Sequence, residues 1–292
     1  MSVFTCYFLA GQVIWGFLPI FWKSLALLDP VYLLSMRILF SSLFCGLYLF
    51  LRSPEETARR FRDRPLMRRL GAASVFITLN WGLYIMMVNT GHIFEASLAY
   101  FINPILCLLF SAFFFKEKLN RWQKAAALTA AAGILLSFLL YGSIPWLSLA
   151  LCSPFAVYSV IKKKVNVPGM FSVCAESLFM TPPSLIYILW RETSGGGAAG
   201  VLTGAEWLLL PMTGLLTAIP MALFSAGLRG ISFSAAAILM YTSPAIQIFL
   251  ALFYGETLSP IMLVNFGFVL SAVFLYIAGS LENAGKLMKK RR

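Results

Sequence analysis

Apolar runs of about twenty residues follow one another along this chain, separated by short polar stretches. A helix rises ~1.5 Å per residue and bilayer hydrocarbon is ~30 Å thick, so about twenty apolar residues make one crossing. The pattern predicts ten spans, at 3–22, 30–51, 70–88, 94–115, 123–141, 144–161, 168–190, 207–226, 232–254 and 261–280. Irregular backbone cannot face lipid, so each span is expected to be a helix. No basic segment precedes the first run and no small-residue cleavage site follows it. It therefore reads as a retained helix, not a signal peptide. The stretch from Ser194-Gly195-Gly196-Gly197 to Glu206 is glycine-rich and predicts a mobile loop.

Composition agrees with this pattern. Of 292 residues, 60% are hydrophobic and 12% charged, against roughly 45–50% and about 25% in soluble domains. Ten spans consume about 200 residues and leave no room for a separate soluble domain. The expected fold class is therefore all-α integral membrane.

The basic residues orient the spans. The loop 52–69 carries Arg52, Arg59, Arg60, Arg62, Arg64, Arg68 and Arg69. Lys116, Lys118, Arg121 and Lys124 follow the fourth span, Lys162, Lys163 and Lys164 the sixth, and Arg229 the eighth. The tail adds Lys286, Lys289, Lys290, Arg291 and Arg292. With ten spans all of these lie on one side, leaving Lys23 and Arg191 opposite and Arg37 inside a span. By the positive-inside rule the basic side is cytoplasmic, with both termini on it. One span more or fewer would destroy the asymmetry. The net charge of +12 is thus topological, and nucleic acid is not an expected partner.

The chain also resembles itself. Residues 91–119, GHIFEASLAYFINPILCLLFSAFFFKEKL, align with 230–258, GISFSAAAILMYTSPAIQIFLALFYGETL. Gly91 matches Gly230, Pro104 matches Pro244, Glu117 matches Glu256 and Leu119 matches Leu258. The offset spans five helices. Five is odd, so the second copy, 143–292, is expected to be inverted relative to the first, 1–142. Inverted repeats are a transporter signature, because exchanging the conformations of two equivalent halves interconverts inward- and outward-open states.

Little else in the chain suggests chemistry. Cys6, Cys45, Cys107, Cys152 and Cys174 fall inside apolar runs with no close pair, and read as small buried hydrophobes. His92 is the single histidine. No metal or other cofactor is expected. An enzyme would need clustered nucleophile, base or metal ligands. An ATP-driven pump would need a phosphate loop, and a channel a filter sequence. None of these is found, and a secondary transporter is the expected class.

Residues 80–104 carry a pattern that is similar to a known family. Asn80-Trp81-Gly82-Leu83-Tyr84, Val88-Asn89-Thr90-Gly91-His92-Ile93 and the run from Glu95 to Asn103-Pro104 resemble the RarD group of the EamA-type drug/metabolite transporter superfamily. Further resemblance lies in Trp15-Gly16 with Pro19 and Lys23, Arg37 with Ser41, and Lys116-Glu117-Lys118-Leu119. Glu176 with Pro182, and Thr217-Ala218-Ile219-Pro220, extend it over almost the whole chain. Met36, Met86, Ala99 and Met240 depart from the group's usual His, Trp, Gly and Gln. The resemblance implies two inverted five-helix bundles around a central cavity that moves small solutes. The group is linked to chloramphenicol sensitivity, and related branches export amino acids and metabolites. An efflux permease, proton-coupled or exchange-driven, is the expectation. The expected partners are a small-molecule substrate and the lipid bilayer, with monomer and homodimer both open.

Polar groups within lipid are expensive and tend to face a cavity or a partner. Arg37, about eight residues or ~10–12 Å from the outer end of its span, is a candidate for an anionic substrate group. Snorkelling or a structural ion pair is the alternative. Glu176, near the midplane, is a candidate coupling residue, or else the neutraliser of Arg37. Glu95, a helix-start carboxylate, pairs at one helical turn with His92 as a possible pH sensor. Asn103-Pro104 and Ser243-Pro244 predict kinks in the two copies, because proline removes a backbone donor. Asn80, Trp81, Tyr84, Tyr100, Asn103, Tyr158 and Tyr241 are candidate substrate-lining residues. Gly16, Gly82, Gly133, Gly214 and Gly267 are expected at close helix contacts.

Overall fold

The computed structural model describes residues 2–141, 146–255 and, in the last apolar stretch, 260, 263–264, 266–268, 270–276 and 278–279. Glu256, Leu258, the basic tail and the junction between the two proposed halves lie outside the described residues. Several helices begin where the sequence supplies side-chain acceptors for otherwise unpaired N–H groups. Ser2 caps α1 (Val3–Lys23), accepting from Thr5 N. Asp29, with Pro30 in the first turn, caps α2 (Pro30–Arg52) by accepting from Tyr32 N at 2.8 Å. Asp63 caps α4 (Arg64–Asn89), accepting from Leu66 N at 3.0 Å.

Between them the basic loop folds into a short helix, α3 (Pro54–Phe61), absent from the sequence expectation. Glu55 and Glu56 occupy its first turn and Arg59 and Arg60 its last, which suits the helix dipole at both ends. There follow α5 (Ile93–Phe115), α6 (Arg121–Tyr141), α7 (Trp146–Lys164), α8 (Gly169–Thr193), α9 (Ala198–Val201), α10 (Leu209–Gly230), α11 (Phe233–Leu239) and α12 (Thr242–Phe253). Among the described residues, eight segments are long and apolar enough to cross a membrane. In addition, α7 ends in three lysines, and a shorter apolar helix covers Phe266–Tyr276. No strand occurs among the described residues.

The helices pack in matched sets. α1 lies on α10 as α4 lies on α7, α5 lies on α7 as α12 lies on α1, and α2 lies on α8. The largest core joins Phe8, Phe171, Phe224, Leu228 and Phe233, all fully buried. These residues sit toward the end of the bundle that carries Arg52 and Arg229. Close approach depends on glycine at several crossings. A Cβ on Gly16 would meet Ile246, one on Gly133 would meet Phe268, and one on Gly214 would meet the Phe40 backbone. Gly82 and Gly267 face open space instead, against expectation. Gly169, set against the Ala222 carbonyl, is a tighter contact that the sequence did not single out.

Three further expectations need correction. The glycine-rich loop is folded: α9 and a 3-10 turn, Gly204–Leu208, occupy it. Glu192 ties it down, accepting from Ala198 N at 3.0 Å and from the Tyr32 hydroxyl. The ninth span is broken at Met240-Tyr241, between α11 and α12, where Pro244 offers no N–H to the Met240 carbonyl. α5 runs unbroken through Pro104, so the two prolines differ. Finally, Cys6 is exposed, whereas the other four cysteines are buried and unpaired as expected.

Candidate substrate cavity

Arg37 projects from the middle of α2 into a group built by several helices. Its Nε donates to Thr217 Oγ1 of α10 at 3.0 Å. Its guanidinium lies 4.6 Å from the Trp22 ring of α1 and 4.9 Å from the Trp81 ring of α4. Cation–π contacts of this kind orient the charge without neutralising it. Among the described residues no carboxylate pairs with Arg37, and its Nη groups have no protein acceptor. Tyr100 of α5 lies within electrostatic range of the guanidinium, and its ring meets Tyr84 edge-on at 5.9 Å. Tyr84 and Tyr100 are 39% and 42% exposed, although both sit well inside their spans. The arrangement presents a held, planar cationic fork flanked by aromatic surface, chemistry suited to a carboxylate or phosphate attached to a flat or apolar body.

Glu176 does not neutralise Arg37. Its Oε1 lies 2.5 Å from Lys162 Nζ, and Ser172 Oγ donates to the same oxygen at 2.8 Å. Tyr158 Oη donates to Oε2 at 3.1 Å, and Lys162 also donates to Ser172. Lys162 and Glu176 are 2% and 3% exposed, so this is a buried ion pair with its lone pairs occupied. Lys162 is therefore not a loop charge, as the lysine run suggested. It turns inward from the last turn of α7, and the asymmetry in basic residues survives without it. Tyr158, expected to line the cavity, is fully buried and stacks on Phe224 with ring centroids 6.3 Å apart.

The other candidates are dispersed. Asn80 donates from Nδ2 to the Leu151 carbonyl at 2.8 Å and ties α4 to α7. Asn103 is buried, with Nδ2 3.7 Å from Met240 Sδ and Oδ1 accepting from Cys107 Sγ at 3.9 Å. Tyr241 is buried too, and its hydroxyl donates to the Phe101 carbonyl at 3.0 Å. Asn103 and Tyr241 thus join α5 to the α11–α12 break, and neither they nor Asn80 forms the surface around Arg37. His92 stands at the N-cap position of α5 without a side-chain bond to the helix, its Nδ1 2.9 Å from Thr90 Oγ1. The Glu95 backbone carbonyl accepts from Ser148 Oγ at 2.6 Å.

Sequence reasoning missed Trp22, Thr217, Lys162 and Ser172. A signal existed for the last two. Tyr158 and Lys162, like Ser172 and Glu176, are four apart on helices joined by a short link, so each pair shares a helical face. It also missed the role of Glu117. Lys116 adopts a left-handed conformation, φ +53°, costing roughly 1–2 kcal/mol in a non-glycine residue. The next residue, Glu117, accepts from Phe233 N at 2.7 Å and Ser234 N at 2.8 Å. A carboxylate so placed caps α11 and binds it to the end of α5.

Comparison with known proteins decides the family. The chain matches the EamA-like transporter family twice, over residues 4–139 and 143–278. It belongs to that family. Within it, "Protein RarD" of Streptomyces exfoliatus is 35% identical over 92% of this chain and 86% of its own. "Uncharacterized transporter YojE" of Bacillus subtilis is 35% identical over 90% of each chain. "Protein RarD" of Escherichia coli is 28% identical over 96% of each. A solved crystal structure superposes with a TM-score of 0.71 at 19% identity, covering 96% of this chain and 98% of the other. That likeness concerns the fold. The protein is thus a RarD-group, EamA-type transporter, not an enzyme, and a multi-pass protein of the bacterial inner membrane.

Proposed function

We propose that this EamA-type transporter is a secondary active efflux permease for a small metabolite or drug bearing an anionic group. It works by alternating access between two inverted five-helix halves, 1–142 and 143–292, with both termini in the cytoplasm. The observation that carries the substrate class is Arg37: a fork held by Trp22, Trp81 and Thr217 and left without a carboxylate among the described residues. Such a charge within a membrane is stabilised by the ligand it awaits. The matched packing of α1 on α10 and α4 on α7, and of α5 on α7 and α12 on α1, supports the inverted halves. A discontinuous helix within the bundle is how such folds place sites near the midplane, although here only the second copy is broken. Export rests on the resemblance of the chain to its family.

A thermal-shift screen of the purified protein against metabolites and drugs tests the substrate class, because a binder stabilises the folded state by mass action. Carboxylates or phosphates should raise the unfolding temperature, and Arg37→Gln should abolish the rise. Neutral ligands that stabilise wild type and Arg37→Gln equally would overturn the reading. Coupling runs by protons or by exchange, and Glu176 with Lys162 is the buried titratable pair that would carry a proton. Lys162→Met/Glu176→Leu, which removes both charges together and so spares the fold, should remove stimulation by a pH gradient in proteoliposomes while leaving substrate exchange. Undiminished stimulation would exclude Glu176 from coupling.

A further inference from the structure

A cavity lies away from Arg37. It encloses about 690 Å³ at the basic end of the bundle, where α1, α2, α3, α8 and α10 converge. Arg52, Arg60 and Arg229 line it, with Glu56 the acidic residue among its lining groups. Glu56 is engaged: its Oε1 lies 2.6 Å from an Arg60 Nη. Arg60 and Arg229 are close enough to repel each other, and the buried Arg229 Nε finds no acceptor. Two neighbouring cations that share a single carboxylate, one of them with a buried N–H left unpaired, call for an anion.

The rest of the lining says which kind. α1 and α2 both pack on α10. Between them α10 offers a floor of Ile219, Ala222, Leu223 and Ala226, spaced along one face of the helix. From Ile219 to Arg229 is ten residues, or about 15 Å of helix. The cavity therefore runs from guanidinium groups at the interface into an apolar trough. Tyr7 and Tyr48 also line it and are 43% and 45% exposed, as expected of aromatic residues at headgroup level. None of Arg37, Trp81 and Tyr100 belongs to its lining, and Thr217 lies roughly 200° round α10 from Ile219.

We infer that this cavity binds an anionic phospholipid of the cytoplasmic leaflet, its phosphate between Arg60 and Arg229 and an acyl chain along α10. The leaflet rests on the topology proposed above, whereas the binding does not. Juxtamembrane arginines that combine with an apolar groove are a known means of holding acidic lipid headgroups. A free inorganic anion could satisfy the guanidinium groups but would leave the trough empty.

The test is thermal unfolding in a neutral detergent with added phosphatidylglycerol, phosphatidylcholine or inorganic phosphate. Phosphatidylglycerol should raise the unfolding temperature of the wild type saturably, and the other two should not. Arg60→Gln/Arg229→Gln should weaken the apparent affinity at least ten-fold. Ala226→Leu, which narrows the trough and keeps every charge, should do the same and guards against misfolding of the arginine variant. Arg62→Gln/Arg64→Gln removes equal charge from exposed positions outside the cavity and should bind normally. The proposal falls if phosphate alone reproduces the shift. It also falls if both cavity variants bind like wild type, or if the exposed pair loses as much affinity. Detergent has no leaflets, so a wrong topology leaves this binding intact. Topology is read separately, by labelling a cysteine placed at Arg59 from each side of sealed cells.

Discussion

Arg37 and Lys162 are both cations within helices of the bundle, and their surroundings differ in kind. Lys162 rests on a carboxylate, a hydroxyl and the carboxylate's own second partner, Tyr158, in a site 2–3% exposed. Arg37 rests on two indole faces and one threonine, with no carboxylate among the described residues. A buried charge must be compensated. For Lys162 the protein supplies the compensation. For Arg37 it supplies orientation only. The difference separates a charge that holds the fold from a charge that waits for a ligand.

The largest expected effect tests the closed pair. Lys162→Met leaves Glu176 buried without its cation, and breaking such a pair costs about 3–5 kcal/mol. The variant should show a sharply lower unfolding temperature and a low monodisperse yield in detergent. Lys162→Met/Glu176→Leu should recover most of the loss, since an apolar pair of similar volume is often neutral. A single variant as stable as wild type would break the comparison, because Lys162 would then hold nothing together.

The next effect tests the open cation. Arg37→Gln removes hydrogen bonds from a charged group, worth about 1.5–3 kcal/mol to the ligand that accepts them. Transport of an anionic substrate in proteoliposomes should fall roughly ten- to a hundred-fold. Stability should change by less than about 1 kcal/mol, because no buried carboxylate is orphaned. Arg37→Lys keeps the charge but loses the planar fork, and should restore only part of the activity. A large loss of stability in Arg37→Gln would place Arg37 with Lys162, as a structural charge.

The distinction between the two cations was half legible in the sequence. A lone arginine in an apolar run stands out, and so does Glu176, so both were visible as costly groups. What sequence could not show was their pairing. Lys162 sits in a run of three lysines that looks like a solvated end, and only the helical rotation of α7 tells which of the three turns inward. Tyr158 and Tyr241 failed as cavity residues for the same reason: each has a polar tip, but the tip meets Glu176 in one case and the Phe101 carbonyl in the other. Helix positions were read well because span length is set by the bilayer, which does not depend on tertiary contacts. The break at Met240-Tyr241 and the continuity at Pro104 were not, because both copies carry proline. Whether the chain breaks depends on what packs beside it: here Asn103 and Tyr241 cross between the two.

The smallest effects come from removing a single hydroxyl from each cation. Thr217→Val keeps the shape of the side chain and deletes the acceptor for Arg37 Nε. Ser172→Ala deletes a partner of both Lys162 and Glu176. One hydrogen bond is worth about 1 kcal/mol in either place, yet the two losses should register differently. Around Arg37 the bond fixes the angle of a fork that a ligand must meet, so Thr217→Val should raise the KM for transport several-fold and barely move the unfolding temperature. Around Lys162 the bond is part of a satisfied network with no ligand, so Ser172→Ala should lower stability by about 1 kcal/mol and leave KM unchanged. Both variants are measured in both assays. If Thr217→Val shifted stability alone, or Ser172→Ala shifted KM alone, the roles assigned to the two cations would be reversed.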